Sequence, residues 1–278
     1  MRIGLIQKLK VLRKIDTGYV LEDDVLLHNN ELDTELEPEQ EIEVFPYTDK
    51  KGQVIATTKL PSVQMDEYDW AEVVEVMPGL GVFVNIGIAK EMLVSIDDLP
   101  LFESVWPIIG DMLYVTLGKD QKGRLLAIPA SEGVVERQWD IAPDDLLNQA
   151  ISGRVYRTSK EGSAIISEDG YRGFIHHTER KDEPRLGEWV EGRVIDVKED
   201  GTLNVSLRPL KQHSMGEDAD NILMHLKQSN GVIPFSDKSD PEDIQGTFNI
   251  SKAAFKRALG KLMKEQKIEQ HDGKTFLK

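Results

Sequence analysis

The sequence predicts a multidomain, mainly β chain: three consecutive small five-stranded barrels of the OB type, then an α+β winged-helix domain. Three observations predict it. A strand–turn–strand pattern recurs three times in the same internal order. Each copy packs about five short strands into roughly 60 residues, the size of a small closed Greek-key barrel. From about residue 214 the apolar spacing changes from a period of two to one near 3.6.

The openings are LIQKLKVLRKIDTGYVLED, DWAEVVEVMPGLGVFVNIG and AISGRVYRTSKEGSAIISED, each a strand, a glycine-containing turn and a second strand. Third strands follow in VLLHNNEL, EMLVSIDDL and RGFIHHTER, each breaking into a polar segment. The closings are EIEVFPYTDKKGQVIATTKLP, DMLYVTLGKDQKGRLLAIPA and EWVEGRVIDVKEDGTLNVSLRP. They read as hairpins turning at Lys51-Gly52, Lys122-Gly123 and Asp200-Gly201, with a proline after the last strand. The units fall at 1–62, 63–128 and 150–212, with 129–149 a connector, partly helical after Pro143.

In the tail, 214–278, Ala219, Ile222, Leu223 and Leu226 mark one face of a helix that Gly231 can close. Asp240-Pro241 caps a short second helix, and Ser251 caps a third whose apolar face is Ala254, Phe255, Ala258, Leu259 and Leu262. KIEQHDGKTFLK is a hairpin turning at Asp272-Gly273. Three helices and a hairpin are the plan of a winged helix, a helix-turn-helix variant.

Composition narrows the function. Aromatic residues are 6% of the 278, so the cores should be small and aliphatic. The absence of cysteine excludes disulfides and thiolate-bound zinc and fits a reducing compartment. No run of about 18 apolar residues exists, and the start is too short in apolar residues for a signal-peptide core. A soluble, cytoplasmic protein with no membrane partner is expected.

The formal charge of −15 is unevenly spread. Residues 1–149 hold 13 Lys/Arg against 28 Asp/Glu, whereas 150–278 hold 21 of each. Residues 63–149 alone have 5 basic against 16 acidic. An acidic surface repels phosphate backbones, so a polyanion should fall to the C-terminal half. The acidic half, 1–149, suits a basic protein partner instead.

In RGFIHHTER, strand alternation puts Arg172, Phe174 and His176 on one face, and Ile175 and His177 on the other. Two histidines that diverge are a poor pair for one metal ion, and no serine elbow or other strong catalytic motif is present. GRVYR adds Arg154 and Tyr156 on one face of the first strand. Aromatic rings flanked by cations are what single-stranded nucleic acid needs, because bases stack and phosphates seek basic groups. The same pattern also fits a core Phe174 and an ordinary solvated charged face.

GRVYR, EGSAII, YRGFIHHTE, GEWVEGRVIDV and GTLNVSLR resemble the RNA-binding OB domain named after ribosomal protein S-one. The Gly-Phe-Ile-His of 173–176 and the final strand at 205–208 carry the likeness, and the first two units look like diverged copies. The whole arrangement resembles the bacterial conserved virulence factor B family. That resemblance implies RNA binding and post-transcriptional regulation of gene expression, without catalysis or a cofactor. It also implies ligand-facing roles for Phe174 and His176 and a basic role for Arg208. The second-strand aromatic of the family is Ala164 here, while Phe83 fills that place in the middle unit, and Lys198 stands at an acidic position of the hairpin. The middle unit aligns Glu91-Met92-Leu93-Val94 with the hallmark strand, and the first aligns Val25-Leu26-Leu27-His28. Tyr19 and His28 are therefore the candidates of the first unit.

On the third helix of the tail, Lys252, Lys256, Arg257, Lys261 and Lys264 lie opposite the apolar stripe. In a DNA-reading helix-turn-helix that helix enters the major groove, whereas on any amphipathic helix such residues are simply solvated. The neighbouring barrels favour single-stranded RNA as partner, with duplex DNA as the alternative.

Overall fold

The computed structural model describes residues 1–32, 34–49, 51–208 and 211–278, the side chains of 211–215 excepted. The proline expected after the third unit, Pro209, lies outside the described residues. Met1–Leu207 form one compact unit and Arg208–Lys278 a second.

In the first unit β1 (Gln7–Ile15), β2 (Gly18–Leu21), β3 (Leu26–His28), β4 (Glu41–Thr48) and β5 (Val54–Thr57) close into a barrel of order β1-β2-β3-β5-β4. The middle strands are β6 (Asp69–Met77), β7 (Gly81–Asn85), β8 (Met92–Ser95), β9 (Met112–Lys119) and β10 (Leu125–Pro129). They follow the same order around the sheet, β10-β9-β6-β7-β8, but the ladder is open between β8 and β10. A short helix α1 (Glu132–Val135) lies in the connector. The third unit comprises β11 (Ala150–Thr158), β12 (Gly162–Ser167), β13 (Arg172–His176), β14 (Trp189–Val197) and β15 (Leu203–Ser206), again a closed barrel. Closure there runs through a parallel pairing of β13 with β15, as β3 pairs with β5 in the first barrel.

Two details recur in all three units. The first strand carries a bulge between Val11 and Arg13, Val73 and Glu75, and Val155 and Arg157. The extra residue bends the strand so that it can serve two sides of a small barrel. The second strand begins with glycine opposite the end of the third: Gly18 faces His28, Gly81 faces Ser95 and Gly162 faces His176. A Cβ at these glycines would come within 2.0–2.1 Å of the carbonyl oxygens of Leu27, Val94 and Ile175. Gly162→Ala should therefore push β12 off β13 and lower stability by about 1–3 kcal/mol, the usual cost of overpacking, read as a drop in thermal midpoint. The register also corrects the middle unit, whose Leu93, not Met92, occupies the place of Phe174.

The three barrel units of Met1–Leu207 share contacts. Phe45 and Tyr47 of β4 pack into the middle core beside Val73, Val84 and Leu117. The turn before β14 enters the middle unit as well: Leu186 joins its core, and Arg185 pairs with Asp111 at 3.1 Å. Gly187, at φ +83°, sits where a Cβ would be 2.8 Å from the Met112 carbonyl oxygen. The connector continues this packing, with Ala142 buried in the third core and Leu146 against it.

The C-terminal body, Arg208–Lys278, holds α2 (Lys211–Gln228), β16 (Val232–Ile233), α3 (Pro241–Phe248), α4 (Lys252–Lys264), β17 (Ile268–His271) and β18 (Lys274–Leu277). The strands form a sheet of order β16-β18-β17. Asp240 accepts from the Glu242 N–H and Ser251 from the Ala254 N–H, so both predicted caps satisfy otherwise orphaned donors. Asn249 turns the chain between α3 and α4 in the left-handed region, at φ 53°. Ala219, Ile222, Leu226, Ile244, Phe255, Ala258, Leu259 and Leu262 are buried together. Among the described residues no helix is long and apolar enough to cross a membrane.

Candidate nucleic-acid interface

Strand β13 alternates as its sequence requires. Gly173 and Ile175 are buried inward, while Arg172 and Phe174 are half-buried and His176 is exposed on the outer side. Phe174 pairs across the ladder with Ala164, and its ring tip would be 2.8 Å from a Cβ at Gly162. The glycine and the alanine leave a floor on which the ring lies. One open cleft collects Arg157, Arg172 and Phe174 together with the carboxylates Glu132 and Glu161.

The bulge decides what β11 contributes. Val155 enters the core, and Tyr156 is the extra residue that follows. Tyr156 does not present its ring to solvent, as the alternation had suggested. It is only 4% exposed, packed with Ala130, Val135 and Ala164 beneath the connector. Its hydroxyl donates to Glu132 Oε2 at 3.1 Å, and burial together with the Glu132 charge pushes its pKa well above the usual phenol range. Arg154 instead lies over the Trp189 ring at 5.1 Å, and Trp189 is 41% exposed.

Arg172 is also held. Its Nη2 donates to Glu132 Oε1, its Nη1 to Thr202 Oγ1 at 3.2 Å, and its guanidinium lies 4.8 Å from the Trp139 ring centre. Its Nε is buried without a hydrogen-bond partner. Glu132 Oε2 takes a further bond from Arg157 Nη1 at 3.0 Å. The connector is thus a cover on this face, not a spacer.

The two histidines do not diverge. The strand ends at His176, so alternation stops there, and His177 begins a short 3-10 turn. Their ring centroids lie 4.1 Å apart. His176 Nδ1 accepts from the Thr178 N–H and caps that turn, while the His177 N–H donates to the Glu161 carbonyl at 2.9 Å.

The first unit's candidates separate. Tyr19 shares the inward parity of its partner Leu27 and is 2% exposed in the core, its hydroxyl accepting from the Leu36 N–H, so it cannot face a ligand. His28 is half-buried at the end of β3. Phe83 is half-buried on β7 opposite Leu93, and Arg208 is exposed just past β15. On α4, Lys256, Arg257 and Lys264 are exposed; Lys252 Nζ donates to the Lys238 carbonyl at 3.4 Å, and Lys261 stands 4.0 Å from Glu265. Arg157, Trp189, Glu132 and Trp139 escaped the sequence reading. Only Trp189 had a signal there, because alternation against the inward Val190 turns the tryptophan that opens β14 outward.

Two closed barrels, a third unit of the same order and a three-helix tail with a hairpin define a protein of tandem S1-like barrels joined to a winged helix. Family models match the chain in that order. An S1 domain covers residues 3–59, the first S1-like domain of the virulence regulatory factor CvfB covers 68–128, its second domain 137–209, and a CvfB-like winged helix 220–277. The chain belongs to the conserved virulence factor B family. It is 48% identical to the protein YitL of Bacillus subtilis over 281 residues, all of this chain and 94% of that one. It is 39% identical to conserved virulence factor B of Staphylococcus aureus, over 99% of this chain and 94% of that one. A crystal structure of a multidomain protein with nucleic acid binding domains from Streptococcus pneumoniae superposes with a TM-score of 0.67 at 36% identity. It covers 99% of this chain and 98% of that chain.

Proposed function

We propose that the protein is a non-catalytic, cytoplasmic binder of single-stranded RNA that regulates bacterial gene expression after transcription. The cleft that brings Phe174 together with Arg157 and Arg172 carries this reading. A ring on an open strand with guanidinium groups at its edge suits a stacked base and its phosphate. The exposed Lys256, Arg257 and Lys264 of α4 supply a second cationic surface in the same chain. Fluorescence anisotropy of the full chain with a short labelled RNA should show binding at low salt that weakens steeply as salt rises, as counterion release requires. Absence of binding at low salt, or tighter binding to duplex DNA than to RNA, would refute it.

A second reading has its own observation. The loop after β8 exposes Leu101 at 90% and Phe102 at 64%, within the most acidic part of the chain. An apolar loop in acidic surroundings suits a basic protein partner with an apolar anchor. This scaffold reading requires a protein complex that survives nuclease treatment and is lost in Phe102→Asp.

A further inference from the structure

The cleft of the third barrel is partly filled by the protein's own connector. Glu132 places one carboxylate oxygen on Arg172 and the other on Arg157 and the Tyr156 hydroxyl. Trp139 lays its indole against the Arg172 guanidinium and 6.4 Å from the Tyr156 ring. An anion held between two guanidiniums, beside a flat aromatic ring stacked on one of them, is the arrangement a nucleotide would adopt there.

We propose that Arg157 and Arg172 form a phosphate subsite, and that Glu132 with Trp139 occupies it as an internal stand-in for a nucleotide, setting the affinity for RNA. This rests on the RNA-binding reading above and adds to it a specific pair of cations and a competitor. A backbone phosphodiester matches a carboxylate in charge and in its two strong acceptor oxygens, and Arg172 Nε is a buried donor that Glu132 leaves without a partner and that an incoming ligand can satisfy. The competitor is tethered, so it meets the arginines at a high effective concentration that RNA must overcome. It is also displaceable: α1 spans only Glu132–Val135, too short for much intrinsic helical stability, so its Glu132 end depends on the arginine bonds that RNA would replace.

Glu132→Gln tests this in the full chain, because it removes the charge and keeps the shape. With short fluorescein-labelled oligo(U), it should bind about five- to tenfold more tightly at low salt, and the log–log salt slope should steepen by about one phosphate contact. Arg157→Gln in the same background should erase the gain. Trp139→Phe, which leaves the carboxylate in place but weakens the stack on Arg172, should give a smaller gain of about twofold. A folding defect cannot mimic these results, since misfolding weakens binding. Wild-type binding with no gain, or a loss, in Glu132→Gln at an unchanged thermal midpoint overturns the stand-in alone. No binding by either protein at low salt overturns the RNA reading, and the stand-in with it.

Discussion

Phe174→Ala is expected to weaken binding of a short single-stranded RNA by about ten- to a hundredfold while leaving the fold intact. A stacked base is worth roughly 1–3 kcal/mol on alanine substitution, and each 1.4 kcal/mol is about tenfold in affinity. The expectation falls on Phe174 because the other aromatic assigned to this face, Tyr156, is buried and bonded to Glu132. Phe174 is only half-buried on the outer side of β13, against the small Tyr156–Ala164 cluster and outside the barrel core, so truncation opens no cavity in that core. Trp189, stacked with Arg154 on neighbouring strands, offers a second platform, and its loss should cost less than that of Phe174. His176→Ala and His177→Ala should each weaken binding by less again and to a similar degree, since the touching rings form one surface. Anisotropy titrations at fixed salt, paired with thermal melts, separate binding from folding. Wild-type affinity in a folded Phe174→Ala protein would move the RNA path off β13 altogether.

Most of the architecture was legible because the sequence repeats its constraints. Glycine opens the second strand three times, each time where a Cβ would strike a carbonyl oxygen, and that regularity exposed three similar units. The caps Asp240 and Ser251 were equally readable, since capping is local chemistry. The site was harder, for reasons of parity and of distance along the chain. Period-two reasoning holds only while the strand is unbroken: a bulge follows Val155 and the strand stops at His176, so Tyr156 and His177 fell outside its reach. Tyr19 failed differently, because its parity follows from pairing with Leu27, which a single strand does not reveal. Glu132 is 40 residues from Arg172, and no local pattern predicts that a connector folds back over the next barrel.

The largest stability effect should come from Phe255→Ala. Phe255 is fully buried on α4, with ring centroids 5.1 Å from Phe248 and 6.4 Å from Phe235, so the aromatic centre of the winged-helix domain turns on it. Truncating a buried phenylalanine costs about 3–5 kcal/mol, and a domain of this size seldom has more than about 3–5 kcal/mol in total. Residues 219–277 should therefore lose their protection from hydrogen exchange. The barrels of Met1–Leu207, built on separate cores, should keep theirs. Loss of protection throughout would mean that the two units fold as one. The variant also divides the binding energy. If the winged helix holds RNA, Phe255→Ala should lose the same share of affinity as Lys256→Glu with Arg257→Glu, which leave the apolar face of α4 untouched. Equal affinity of all three proteins would assign RNA to the barrels alone and leave the cations of α4 as a solvated helix face.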